Sequence, residues 1–165
     1  MFEMTADGEL MVVGPVHTFD GLRRGNLVHQ IGNWADEDRR GWTFGSKTGF
    51  ILPNGARRSP CISWLSREKI KPYLGNKSYW QVCPDFVVEV RPDVDRIRPL
   101  QKKLEEYIQQ GSQLGWLVDP ENQTVMIYRP DREVEVRVGI HRIDGEGPVA
   151  TLSVDLAKVW DPFED

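Results

Sequence analysis

The chain has 165 residues, 39% of them hydrophobic and 28% charged, with a formal net charge of −4. That length suits a single domain, residues 1–165, with a real hydrophobic core, and six tryptophans argue against disorder. The acidic balance argues against permanent residence on nucleic acid, although acidic metal ligands lower the charge of a nuclease and the bound cation restores it locally. Cys61 and Cys83 form neither a disulfide framework nor a zinc spacing. No apolar run approaches the ~20 residues of a membrane span. The opening MFEMTADGEL lacks the charged and apolar regions of a signal peptide, so a cytoplasmic protein without membrane contact is expected.

Residues 9–13 form a short opening strand. Leu22, Leu27, Val28, Ile31, Trp34 and Ala35 recur at helical spacing, which predicts an amphipathic helix from residue 21 to about 38. Residues 42–52 (WTFGSKTGFIL) are rich in strand formers and end at the turn signal Pro53-Asn54-Gly55. A short apolar strand follows at 62–65, and Ser66 caps a brief helix through Leu74. Residues 86–90 (FVVEV) make a strand bounded by Pro84 and Pro92. A long helix opens at Asp95 or Pro99 and closes at Gly111. Strands are expected at 114–118, 124–129 and 133–138, the last two as a hairpin over Pro130-Asp131. The tail, 148–165, packs back through Leu152, Leu156, Val159 and Trp160. This order predicts an α/β (α+β) fold, a mixed sheet flanked by helices.

The chemistry concentrates in Pro84-Asp85-Phe86-Val87-Val88-Glu89-Val90-Arg91. Alternation along a strand puts Asp85, Val87, Glu89 and Arg91 on one face and Phe86, Val88 and Val90 on the core face. A carboxylate between valines in a central strand is costly to desolvate unless a cation or donor meets it. Asp85 and Glu89 could converge on one hard divalent ion; the competing reading is a plain ion pair between Glu89 and Arg91 or a cation on a neighbouring strand. On the following helix, Ile97, Leu100, Leu104, Tyr107 and Ile108 make an apolar stripe. Lys103 lies at its edge and Lys102 opposite it. Lys103 can therefore lean toward the sheet and stabilise charge on a phosphate, or else snorkel and pair with Glu105 or Glu106. Arg57-Arg58 and Arg23-Arg24 could contact phosphates or simply be solvated. His17, His29 and His141 show no metal spacing, and no glycine-rich phosphate loop or GxSxG elbow occurs.

These residues and their neighbours resemble the Uma-two family, a restriction-endonuclease-like branch of the PD-(D/E)xK nuclease superfamily. The similar segments are Gly49-Phe50-Ile51-Leu52-Pro53-Asn54-Gly55, Arg58-Ser59-Pro60, Cys83 through Glu89, Lys103-Leu104-Glu105-Glu106-Tyr107 and Leu114 through Pro120. The resemblance implies a restriction-endonuclease-like core and a DNA endonuclease using Mg2+ or Mn2+. Glu89 and Asp85 would hold the metal and Lys103 would assist the attacking water, with DNA as substrate and a homodimer as a plausible assembly. Cys61 occupies the position where the family usually has the first metal-ligating Asp. A neutral thiol is a poor magnesium ligand. The alternative implied is therefore a catalytically impaired relative that binds DNA or a protein.

Overall fold

In the computed structural model, which describes residues 1–93 and 95–163, the chain opens with two antiparallel strands, β1 (Phe2–Met4) and β2 (Leu10–Val12). Helix α1 (Thr18–Asp38) follows, burying Leu27, Ile31 and Ala35 at intervals of four residues along one face. It ends where Arg39 turns left-handed, with φ 60°, and returns its N–H to the Ala35 carbonyl. Next come β3 (Gly41–Gly45), β4 (Phe50–Ile51), β5 (Arg57–Arg58) and β6 (Ile62–Ser66). The Ser66 side chain accepts the Lys69 N–H and so caps α2 (Arg67–Ile70), which continues as a single 3-10 turn (Lys71–Tyr73). Then β7 (Phe86–Val90) crosses over through α3 (Ile97–Gln109) to β8 (Leu114–Asp119), its parallel neighbour. The chain finishes with β9 (Thr124–Tyr128), β10 (Glu135–Val138), β11 (Arg142–Asp144), β12 (Ser153–Asp155) and α4 (Ala157–Trp160).

The main sheet runs β10-β9-β8-β7-β6-β3, mixed because β7 and β8 are parallel while the other neighbours are antiparallel. Its two faces bury different partners. Phe86, Val88, Val90, Trp116 and Val118 meet α1 and the C-terminal hairpin β11–β12. Val87 and Leu117 meet Leu104 and Tyr107 of α3. The alternation expected along β7 is therefore present. Helix α3 comes close to the sheet at Gly115, where an added Cβ would lie 2.6 Å from a Leu104 methyl. A second, smaller sheet, β2-β1-β5-β4, joins the N-terminal hairpin to β5 through the Met4–Arg57 pair.

The expected strand over 42–52 is in fact two strands in different sheets. The chain turns at Gly45, where the Thr48 N–H donates to the Gly45 carbonyl at 3.1 Å. The polar segment Gly45-Ser46-Lys47-Thr48-Gly49 is the turn, and its two glycines were the sequence signal for it. Strands β1 and β5 were not anticipated, because elements of three and two residues carry no measurable period. The β9–β10 turn falls where expected, with Asp131 left-handed at φ 56°. Leu152, Leu156, Val159 and Trp160 are buried, as the tail reading required. Glu164 and Asp165, the end of that segment, lie outside the described residues.

Candidate functional site

Glu89 sits on β7, with three strands of the sheet on one side (β8, β9 and β10) and two on the other (β6 and β3), its side chain on the α3 face and 2% of its surface exposed. The β6–β7 register pairs Ile62 with Val88, so the next step places Cys61 opposite Glu89. The Cys61 thiol donates to Glu89 Oε2 at 3.1 Å. From α3, Lys103 Nζ lies 2.8 Å from Glu89 Oε1, and Tyr107, one turn later, donates its hydroxyl to the same oxygen at 3.3 Å.

A second carboxylate arrives from β1. Phe2 is exposed while Glu3, pointing to the opposite face, is 3% exposed. Glu3 Oε1 lies 2.8 Å from Lys103 Nζ and accepts the Ser59 N–H at 3.0 Å. Arg58 holds Glu3 Oε2 at 3.4 Å through Nη1 and Glu106 Oε2 at 2.5 Å through Nε. One ammonium thus bridges two buried carboxylates drawn from elements far apart in the chain.

The cluster has three carboxylates (Glu3, Glu89, Glu106) against two cations (Lys103, Arg58), which leaves it one negative charge in excess. Burial works to lower the Lys103 pKa, but Glu89 and then Glu3 outweigh it, and the ammonium is held above its ordinary value. Burial, reinforced by the Glu89 charge, pushes the Cys61 thiol up to about 12, so it is neutral at physiological pH. Tyr107 is raised well above the ordinary phenol range by burial and by the same two carboxylates, and remains a donor.

The structure brings Lys103 and Cys61 onto Glu89, but it does not bring Asp85 with them. Asp85 lies four residues up the strand, roughly 13 Å away at ~3.3 Å per residue. Its carboxylate pairs with Lys69 at 2.9 Å and accepts the Ser66 N–H at 2.8 Å, tying the start of α2 to the sheet. Asp85 and Glu89 share a strand face, but their separation along the strand keeps the two carboxylates from converging. Arg91 does not pair with Glu89; it holds Asp119 at 2.9 Å. The acids expected to compete for Lys103 are engaged elsewhere, Glu106 by Arg58 and Glu105 by Arg98. Lys102 is exposed, as its helical angle required.

Sequence reasoning missed Glu3 altogether and did not give Arg58, Glu106 and Tyr107 places in this cluster. The available signal for Glu3 was a carboxylate between Phe2 and Met4, the inward position of a strand too short to identify by itself. Among the described residues no group of three His, Cys, Asp or Glu side chains is arranged to enclose a metal ion. Magnesium, however, is commonly held by one or two carboxylates with water and substrate phosphate completing its shell. Glu3 and Glu89, each 2.8 Å from the same cationic atom, fit that requirement for a hydrated hard cation; Cys61 adds nothing to it.

A family model described as "Uma2: Putative restriction endonuclease" matches residues 1–157. Among solved structures, the chain is similar to a "putative nuclease belonging to DUF820" from Anabaena variabilis ATCC 29413. That likeness has a TM-score of 0.83 at 20% identity, over 96% of this chain and 89% of the other. It carries the fold, a six-stranded mixed sheet flanked by helices and consistent with a restriction-endonuclease-like core. No curated protein matches the chain. Among the described residues no helix is long and apolar enough to cross a membrane.

Proposed function

Because the chain belongs to the Uma2 restriction endonuclease family, we propose that it hydrolyses phosphodiester bonds in DNA at the Glu3–Glu89–Lys103 cluster, with Mg2+ or Mn2+ as cofactor. The observation that carries this reading is the convergence of two buried carboxylates on one ammonium, 2.8 Å from each. A structural ion pair needs one carboxylate per ammonium. Across the cluster, Glu3, Glu89 and Glu106 outnumber Lys103 and Arg58 by one negative charge, an excess that costs stability and is more readily explained by a site that receives positive charge.

Glu3 and Glu89 would hold the ion, which when bound neutralises phosphate charge and makes a water molecule more acidic. Lys103, kept protonated by its carboxylates, donates a charge-assisted hydrogen bond to a non-bridging phosphate oxygen; it is no base near neutral pH. Tyr107 fixes the rotamer of Glu89 through Oε1. Arg58 and the Ser59 N–H fix Glu3.

A specific contact supports a second reading, a catalytically impaired relative that still binds DNA. Cys61 supplies a neutral thiol where an acid would bring charge, and that thiol occupies Glu89 Oε2. Calorimetric titration of manganese together with a plasmid-nicking assay separates the two readings. Cys61→Asp is expected to raise ion affinity and cleavage at least about tenfold, since affinity for hard cations follows ligand charge. Glu89→Gln should abolish both. A nicking wild type supports the nuclease, whereas nicking by Cys61→Asp alone supports the impaired relative. Equal activity in wild type and Cys61→Asp would place the reactive centre elsewhere.

A further inference from the structure

Two adjoining clefts open beside the cluster, of about 620 and about 400 Å3, within the size range of small-ligand sites. They share Lys47, Gly49, Phe50 and Tyr79, and the smaller one extends to Glu3, Arg58 and Ser59. Tyr79 stands at their junction, 66% exposed. Its ring packs against Gly49, where a Cβ would meet ring carbon Cε1 at 3.1 Å, so glycine makes room for the ring.

The charge along this path differs from that of the molecule. In a chain of net charge −4, the residues lining the two clefts include Lys47, Lys77, Arg57 and Arg58. Among the described residues, the one acid lining them is Glu3, which is already paired. A cationic path of this kind complements a polyanion. The lining is also apolar, since Phe2 and Leu10 on the lip of the smaller cleft are 64% and 63% exposed. A duplex presents phosphates and groove edges and hides its base faces. Exposed aromatic and aliphatic side chains interleaved with cations suit a strand whose bases are unpaired.

We propose that the two clefts form one continuous path for an unpaired DNA strand, in which Tyr79 stacks on a base while Lys47, Lys77 and Arg57 meet the phosphates. The strand then enters the Glu3–Glu89–Lys103 cluster beside Arg58. This rests on the DNA-cleaving reading above and adds the form in which the substrate is taken: single-stranded, or locally extruded from a duplex.

The test is fluorescence anisotropy of the full chain with an end-labelled single-stranded oligonucleotide and with its duplex, at several salt concentrations. Single strands are expected to bind about tenfold more tightly than duplex of the same length. Tyr79→Ala should weaken single-strand binding about tenfold, within the range for one base–aromatic stack, while Tyr79→Phe stays close to wild type. Lys47→Glu with Lys77→Glu should weaken binding and flatten its salt dependence. Equal or tighter duplex binding overturns the proposal, as does a Tyr79→Ala protein that binds like wild type. Thermal unfolding of each variant checks that the fold is intact. Glu89→Gln separates the two claims: if no variant cuts DNA but single strands still bind through Tyr79, the nuclease reading fails and the strand path stands. Cleavage and duplex preference that both persist in Tyr79→Ala have the opposite meaning.

Discussion

At the scale of single residues, Lys103 has the most exacting position in the molecule. Its side chain is 13% exposed, and the two carboxylates it bridges are 2% exposed. Removing one partner of a buried ionic group leaves charge uncompensated, which typically costs 3–5 kcal/mol, far more than the pair contributes relative to an apolar replacement. Lys103→Met is therefore expected to lose about 3–5 kcal/mol in urea unfolding at neutral pH. Adding Glu89→Gln to it should restore part of that loss, because Glu89 is the carboxylate left without a cation, whereas Glu3 keeps Arg58. Manganese should stabilise Lys103→Met more than wild type, since a ligand that binds only the folded state adds stability by mass action and no ammonium competes for the carboxylates. A Lys103→Met protein as stable as wild type would mean that Glu3 and Glu89 are well hydrated, and the cation site would lose its physical basis.

At the scale of elements, legibility followed length. Strand β7 and helix α3 could be read because five alternating residues and a thirteen-residue stripe repeat enough for the period to show, and the helical angle of Lys103 came with them. Strand β1 forms a local hairpin with β2 but reaches β5 through the Met4–Arg57 pair, more than fifty residues away, so what Glu3 meets could not be read from its own neighbours. Asp85 failed for a different reason: parity fixes the face of a strand, but only distance along it decides which groups meet. The β9–β10 hairpin offers a prediction at this level. Arg129 reaches Glu135 on β10 at 2.8 Å and Glu146 beyond it at 2.6 Å. Glu146 is held below its ordinary value chiefly by its hydrogen bond to Arg129, and Glu135 by Arg137 and then Arg129. Acids with a depressed folded-state pKa stabilise fully above the unfolded value, 4.5, and lose that contribution as pH falls through the folded one. Glu146 is more than a third exposed, so solvent screening limits its pair with Arg129 to under about 1 kcal/mol. Arg129→Met should lower the melting temperature by no more than about 3 °C at pH 7. The difference from wild type should shrink steadily below pH 4.5; a difference that persists at pH 3 would point to lost packing instead.

At the scale of the whole molecule, both faces of the sheet depend on segments distant in sequence. The α1 face is covered by Leu27 and Ile31 together with Ile143, Val149, Leu152, Val154, Leu156 and Val159 from the C-terminal part of the chain. Polar contacts fix the same docking: Gln30 exchanges two hydrogen bonds with the Asp155 backbone, each 2.8 Å, and Trp160 Nε1 donates to the Ile140 carbonyl at 2.7 Å. The opposite face carries Glu89, and one sheet supports both, so uncovering either face exposes the strand that positions the site. We therefore propose that residues 1–165 unfold as one unit. Each of those six C-terminal side chains contributes about 1.5–3 kcal/mol by leaving water. Together they approach the whole net stability of an ordinary domain, about 5–15 kcal/mol. A chain ending at residue 140 is expected to lose its sharp urea transition and, with it, manganese binding at Glu89. The full chain should show coincident transitions by circular dichroism and tryptophan fluorescence. If the shortened chain still unfolds cooperatively and still binds the ion, the α3 face and its site stand on their own, and the C-terminal hairpin is an appendage to the fold.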